Sequence, residues 1–205
     1  IRNSGPNDPG THYLLHEGTL QLIGAERPWL DSDNLANVHY VTYAARDGEV
    51  IPAFVTVPEG NPPFPMVVMP HGGPFVREIV IFDEWAQMLA NKGFLVLQPQ
   101  YRGSKGYGQR FYQIAFSKGG QGGYKMQDDK DDGVAWAVAE GLASSDRVAM
   151  FGWSYGGYAA LVAASRTPQI YQCVIAGAAV TDPEMQLNYY RYRLRGRSKV
   201  EQLRM

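Results

Sequence analysis

The sequence predicts an α/β fold built on a mostly parallel sheet, and three observations carry that expectation. From Val38 onward, short apolar runs suited to buried strands alternate with stretches at helical spacing. Residues 147–166 change period around one serine, from an apolar run over 147–151 to an alanine-rich run over 158–164. Between those flanks lies Gly152-Trp153-Ser154-Tyr155-Gly156, a G-x-S-x-G segment fed by a strand and left by a helix.

The spacing of that segment has a physical cause. Ser154 must sit on a sharp strand-to-helix turn where neighbouring chain crowds the backbone, and Gly152 and Gly156 leave the room. The helix that follows points backbone N–H groups and the positive end of its dipole at the hydroxyl, which favours developing negative charge. The amide of Tyr155 is then one oxyanion donor. No G-x-G-x-x-G or G-x-x-x-x-G-K-[ST] pattern occurs, so a nucleotide-binding turn is not expected, nor is any cofactor.

Taken in order, residues 1–11 are rich in Gly, Pro and Asn and read as loop. Residues 13–23 read as two short strands joined at Glu17-Gly18, and a lone hairpin is marginal, so a larger sheet with earlier strands before Ile1 is expected. Arg27-Pro28-Trp29-Leu30-Asp31 punctuates the chain, and 34–39 crosses into a second unit. Residues 38–44 and 50–57 flank Arg46-Asp47-Gly48-Glu49, whose Asp-Gly is a strong hairpin signal, so this sheet begins antiparallel. A buried strand over 66–69, introduced by three prolines, runs into His71-Gly72-Gly73-Pro74-Phe75. Helical spacing at Phe82, Trp85, Ala86 and Leu89 is stopped by Gly93, and a strand over 94–97 leads to the loop 101–108.

Residues 126–140 read as an amphipathic helix with Asp128, Asp129, Asp131 and Asp132 in its first turns. Complementing the helix dipole accounts for the acids, and the D-x-[DN]-x-[DN]-G loop of a calcium site is absent, so no metal is expected. After the serine turn, Pro168 ends a helix, 173–179 supplies another strand, and 182–205 offers helical pieces broken at Gly196. Residues 189–199 interleave aromatics with five basic residues. With a net charge of -1 for the whole chain, that stretch reads as a packing helix with wet Arg heads rather than a nucleic-acid surface.

A chain of 205 residues at 45% hydrophobic content buries roughly 70% of its unfolded surface, so disorder is not the default. No apolar run approaches the roughly 18 residues of a membrane span. The single cysteine, Cys173, lies in an apolar run and reads as a core thiol rather than a nucleophile.

Four motifs in this order and at these intervals, His71-Gly-Gly-Pro-Phe, Tyr101-Arg-Gly-Ser-Lys-Gly-Tyr-Gly, Met126-Gln-Asp-Asp and Gly152-Trp-Ser-Tyr-Gly-Gly-Tyr, resemble the prolyl oligopeptidase family of serine peptidases. Its acylaminoacyl-peptidase and dipeptidyl-peptidase-like branches look nearest. The resemblance covers about Val38 to the C-terminus. It implies that 38–205 is the N-terminal part of an α/β-hydrolase catalytic domain and that 1–37 is similar to the last strands of a β-propeller plus a linker. It further implies a serine hydrolase acting on short peptides, with Ser154 as nucleophile and with the Tyr155 and Gly73 amides as the oxyanion hole. His71 matches a position that shapes the oxyanion loop rather than the base. Arg102 and Tyr107 match loop-ordering positions, with a packed turn as the alternative.

One departure is large. The family's triad runs Ser, acid, His along the chain, yet His12, His16, His39 and His71 all precede Ser154. The expectation is therefore a part of a larger enzyme, with the sheet incomplete at its C-terminal end and the acid and His beyond Met205 or on a companion chain or second copy. Alone, these residues should be nearly inert. A cytoplasmic location is the default expectation. A carboxylesterase or lipase on the same fold, or a hydrolase fold that only binds, are the competing readings.

Overall fold

The computed structural model describes residues 1–116 and 121–193. Two sheets follow one another along the chain. β1 (Arg2–Gly5), β2 (Asp8–His16) and β3 (Thr19–Ala25) form an antiparallel sheet in sequence order. The β2–β3 hairpin turns at Glu17 (φ 47°) and Gly18 (φ 77°), the left-handed pair of a type I′ turn. Residues 1–11, expected as loop, instead supply β1 and the start of β2. The cause is polar rather than apolar. The Asp8 carboxylate accepts from the Gly10 amide at 2.9 Å, the Thr11 hydroxyl at 2.9 Å and the Asn3 side chain at 2.6 Å, closing the connection that lets Arg2 pair with His12. Leu14, Leu15, Leu22 and Ile23 are exposed, and since consecutive strand residues point to opposite faces, both faces of this small sheet lie open among the described residues.

The second sheet contains β4 (Asn37–Ala44), β5 (Val50–Val57), β6 (Phe64–Val68), β7 (Leu95–Pro99), β8 (Ala143–Trp153) and β9 (Cys173–Gly177), in spatial order β4-β5-β7-β6-β8-β9. The β4–β5 and β5–β7 pairs are antiparallel, whereas β7, β6, β8 and β9 run parallel. The helices are α1 (Glu84–Asn91), α2 (Gln109–Gln113), α3 (Met126–Ala139), α4 (Tyr155–Ser165) and α5 (Pro183–Arg193). Asp83 caps α1 by accepting from the Trp85 and Ala86 amides, both at 3.0 Å, and Gly93 at φ 86° ends it. None of these helices is long and apolar enough to cross a membrane. The basic stretch beginning at Tyr189 and the break at Gly196 lie largely outside the described residues.

Strand alternation sorts the core. Met66, Val68, Leu95, Leu97, Val148 and Met150 meet α3 and α4 on one face, while Val96 meets Ala86 and Leu89 of α1 on the other. Gln87 of α1 ties the two sheets together, accepting from the Ala36 amide at 2.8 Å and donating to the Ala36 and Pro6 carbonyls. Cys173 is exposed, contrary to the core thiol expected. It opens β9, the outermost strand of the sheet, where Ile175 and Ala176 are exposed as well, so an apolar run here does not mean burial.

α3 departs most from its sequence pattern. Gln127, Asp129, Lys130 and Asp132 are buried along with Met126, Gly133, Val134 and Ala137, so the helix has no simple polar face. Its acids do more than complement a dipole, because each meets a partner from far along the chain. Asp132 accepts from the Arg46 side chain at 2.9 Å, Asp128 meets Arg46 and Arg166, and Asp131 accepts from the Tyr171 hydroxyl at 2.8 Å. Asp129 takes the Arg102 guanidinium at 2.6 Å and the Arg102 amide at 2.8 Å. The same guanidinium reaches the Asp47 carboxylate of the β4–β5 turn at 2.9 and 3.0 Å. Burial works against the Arg102 charge, but the two carboxylates more than offset it and raise its pKa.

Removing one partner of this buried group should be costly because it strands the other charge. Asp129→Ala is expected to lower stability in urea unfolding by about 3–5 kcal/mol. Arg110→Ala, which breaks a pair whose arginine is 74% exposed, should leave the unfolding midpoint nearly unchanged.

Candidate active site

β8 delivers the chain to Ser154, and α4 begins on the next residue. Ser154 has φ 58° and ψ -118°, a backbone that residues other than glycine rarely adopt and hold only when their surroundings enforce it. The surroundings here are backbone. A Cβ on Gly156 would run into the Pro70 carbonyl, and one on Gly152 would run into the Gly156 backbone. The glycines thus let the end of β6, the end of β8 and the start of α4 close onto one another. The Ser154 amide donates to the Gly177 carbonyl at 2.9 Å, which anchors the turn to β9. Its hydroxyl is half-buried and makes no hydrogen bond among the described residues.

The loop after β6 lies against this turn. A Cβ on Gly72 would sit 3.4 Å from the Trp153 carbonyl and 3.6 Å from Ser154 Cβ. Gly73 follows at φ 112°, exposed, where a Cβ would come within 2.9 Å of the Phe75 nitrogen. Tyr155 is the first residue of α4, so its amide has no partner within the helix. Among the described residues neither the Gly73 nor the Tyr155 amide is donated to another backbone group. The Ser154 hydroxyl thus stands at the N-terminus of α4, where the first amides of a helix lack partners within it and the dipole favours negative charge.

His71 is turned into the protein. Its Nδ1–H donates to the Gly72 carbonyl at 2.8 Å, Nε2 is 2.8 Å from the Ser104 hydroxyl, and the ring stacks on Tyr101 with centroids 4.2 Å apart. The Tyr101 hydroxyl donates to the His71 carbonyl at 2.8 Å. Burial, opposed by the Gly72 hydrogen bond and assisted by the Lys130 charge, pushes the imidazole down to about 4. Both ring nitrogens are engaged in holding the loop. In the segment that follows β7, Arg102 is held by the carboxylates described above, and Tyr107 makes an edge contact with Phe111, 5.8 Å between centroids.

Sequence reasoning missed the support beneath the loop. Tyr101 and Ser104 sit inside the second motif, yet nothing local says that they reach back to His71. Lys130, flanked by acids, reads as a surface residue and is wholly buried. Among the described residues no group of His, Cys, Asp or Glu side chains could hold a metal ion.

Residues 81–198 match the Prolyl oligopeptidase family. The chain is 36% identical over 170 residues to dipeptidyl aminopeptidase BIII of Pseudoxanthomonas mexicana, covering 78% of this chain and 24% of that protein. It is 35% identical over 136 residues to the acylamino-acid-releasing enzyme of Rattus norvegicus, covering 66% of this chain and 18% of the relative. Among solved structures, a puromycin-hydrolyzing peptidase of Mycobacterium tuberculosis superposes with a TM-score of 0.77 at 22% identity, over 91% of this chain and 30% of that one. The acylaminoacyl peptidase of Pyrococcus horikoshii gives 0.75 at 19% identity, over 92% and 30%. The chain thus spans about a quarter of the length of the curated relatives it matches, and its second sheet with flanking helices is an α/β-hydrolase architecture.

Two outcomes test the geometry. Gly156→Ala should lower stability by about 1–3 kcal/mol or more, measured by urea unfolding, because the added methyl meets fixed backbone. The buried neutral His71 should make stability fall as pH drops from 6.5 toward about 4. In that window the unfolded chain binds a proton the folded one does not, and the slope reaches about 1.4 kcal/mol per pH unit. His71→Asn should flatten that slope relative to the parent, and an unchanged slope would contradict the buried neutral ring.

Proposed function

Because the chain belongs to the prolyl oligopeptidase family, we propose that Ser154 is the nucleophile of a serine peptidase that hydrolyses short peptides of the acyl- or aminoacyl-peptide type. The observation that carries this reading is the strained, glycine-enforced backbone of Ser154, which presents at the N-terminus of α4 a hydroxyl that makes no hydrogen bond among the described residues. Ser154 Oγ attacks the scissile carbonyl carbon, its proton passes to a base, and the carbonyl oxygen becomes an oxyanion. The Tyr155 and Gly73 amides donate to that oxygen as its charge develops, and the amine leaves with the proton returned by the base. Water then repeats the sequence on the acyl-enzyme.

The base is not among the four histidines of this chain. His12 and His16 lie on β2, His39 lies on β4, and His71 is closed into its own loop. The reading therefore takes the triad acid and His from residues outside these 205, and it takes β1–β3 as the end of a β-propeller that limits access to short substrates. The names of the relatives, a dipeptidyl aminopeptidase and an acylamino-acid-releasing enzyme, support peptides over esters as substrates.

The test uses the full-length protein with aminoacyl p-nitroanilides and p-nitrophenyl esters in parallel. Anilide hydrolysis is expected, reduced on the order of 10⁶-fold in Ser154→Ala. Activity on esters alone would rule out the peptidase, and no reaction with either substrate or with a fluorophosphonate would favour a fold that only binds. Residues 1–205 expressed alone should show no more than the Ser154→Ala rate.

A further inference from the structure

Lys130 is the charged side chain of α3 that the arginine–carboxylate network leaves out. It is 0% exposed, and among the described residues no carboxylate comes within the 4.0 Å of an ion pair. Nζ donates to the Met126 carbonyl of its own helix at 2.6 Å. It otherwise lies 3.7 Å over the centre of the Tyr101 ring and 5.8 Å from that of Tyr155. A buried ammonium without a carboxylate within ion-pair distance is costly, and an apolar side chain of similar volume would fill the same space without that cost. The two aromatic faces return part of that cost, the Tyr101 ring at close range and the Tyr155 ring from further off.

The two rings it touches are the supports of the proposed oxyanion site. Tyr101 holds the His71 carbonyl and lies 3.0 Å from His71 Nδ1, which fixes the loop entering Gly72 and Gly73. Tyr155 carries the other amide on its own backbone and stands 5.9 Å from Tyr101, centroid to centroid. The cation thus sits behind both halves of one site while touching neither the hydroxyl nor the amides.

Building on the reading of Ser154 as nucleophile, we propose that Lys130 is a positioning residue: its ammonium, docked on Tyr101 and Tyr155, fixes the two aromatic supports and places positive potential behind the oxyanion amides. Acyl transfer at Ser154 is then faster when Lys130 is protonated than when it is neutral.

The groups around it set the pH window. Burial pushes the ammonium down to about 7, Asp129 and Asp131 pull it up, and Arg166 and Arg102 push it further down. His71, down to about 4, is neutral there, and Tyr101 and Tyr155 are both pushed up and stay protonated. Glu78, raised to about 7 by burial and then by Asp83, also acts electrostatically on Tyr101 and needs its own control. The sign follows: the favourable charge is present below about pH 7 and is lost above it.

The experiment measures the rate constant for fluorophosphonate labelling of the full-length protein from pH 6 to 8.5, in the parent, Lys130→Met, Glu78→Gln and Ser154→Ala. The ratio of parent to Lys130→Met cancels the titration of the base. It should be about tenfold at pH 6, the order expected of one charge acting through a protein interior, and close to one at pH 8.5, with Glu78→Gln behaving as the parent. Lys130→Arg, charged throughout, should keep the pH 6 advantage at pH 8.5 and serves if Lys130→Met fails to fold. A ratio that is flat with pH, or one that Glu78→Gln abolishes, overturns the role of Lys130 while leaving Ser154 in place. Absence of labelling in the parent, or equal labelling of Ser154→Ala, overturns the nucleophile and this inference with it.

Discussion

The close approach of three backbone segments at the end of the parallel sheet is the constraint on which the remaining structure depends. Gly156 presses against the Pro70 carbonyl, Gly152 presses against Gly156, and the Ser154 amide is held by the Gly177 carbonyl. No side chain could stand between these segments without pushing apart β6, β8 and α4. Their contact leaves Ser154 with a left-handed backbone and with a hydroxyl that makes no hydrogen bond among the described residues. It also brings the loop of Gly72 and Gly73 to that hydroxyl. The geometry of the serine turn is thus a product of sheet packing.

A second layer holds the loop in place by charge and hydrogen bonding rather than apolar contact. Arg102, 1% exposed, joins Asp129 of α3 to Asp47 of the β4–β5 turn. Tyr43 adds a hydrogen bond at 2.7 Å to the Asp129 carbonyl. Buried ion pairs of this kind gain little over an apolar replacement, but breaking one is costly, so they act more as a register than as a source of stability. The register they set runs from the β4–β5 hairpin through the segment after β7 to α3. Tyr101, Ser104 and His71 extend it to the edge of the site.

The sequence announces the parts of this molecule that are local. Strands β4 to β9 and helices α1, α3 and α4 lie close to where apolar periodicity and Gly or Pro punctuation place them, and Asp47-Gly48 and Glu17-Gly18 turn as such dipeptides do. The G-x-S-x-G segment is legible for the same reason, because its meaning lies in its immediate flanks. What escaped is non-local or polar. β1 forms through the Asp8 carboxylate rather than through apolar alternation. Arg46, Arg102 and Arg166 converge on one helix from separate parts of the chain, and nothing near Asp128 or Asp129 says so. Cys173 is exposed because its strand is the outermost one, which depends on topology rather than composition. Lys130 is buried against the tendency of its residue type.

On the proposed function, Ser154 and the Tyr155 and Gly73 amides act as one reactive centre. The most direct test is a crystal structure of the full-length protein after phosphonylation. Phosphorus should be bonded to Ser154 Oγ, with one phosphonyl oxygen about 2.7–3.1 Å from both the Tyr155 and Gly73 nitrogens. An adduct on another residue, or a phosphonyl oxygen turned away from both amides, would contradict the account.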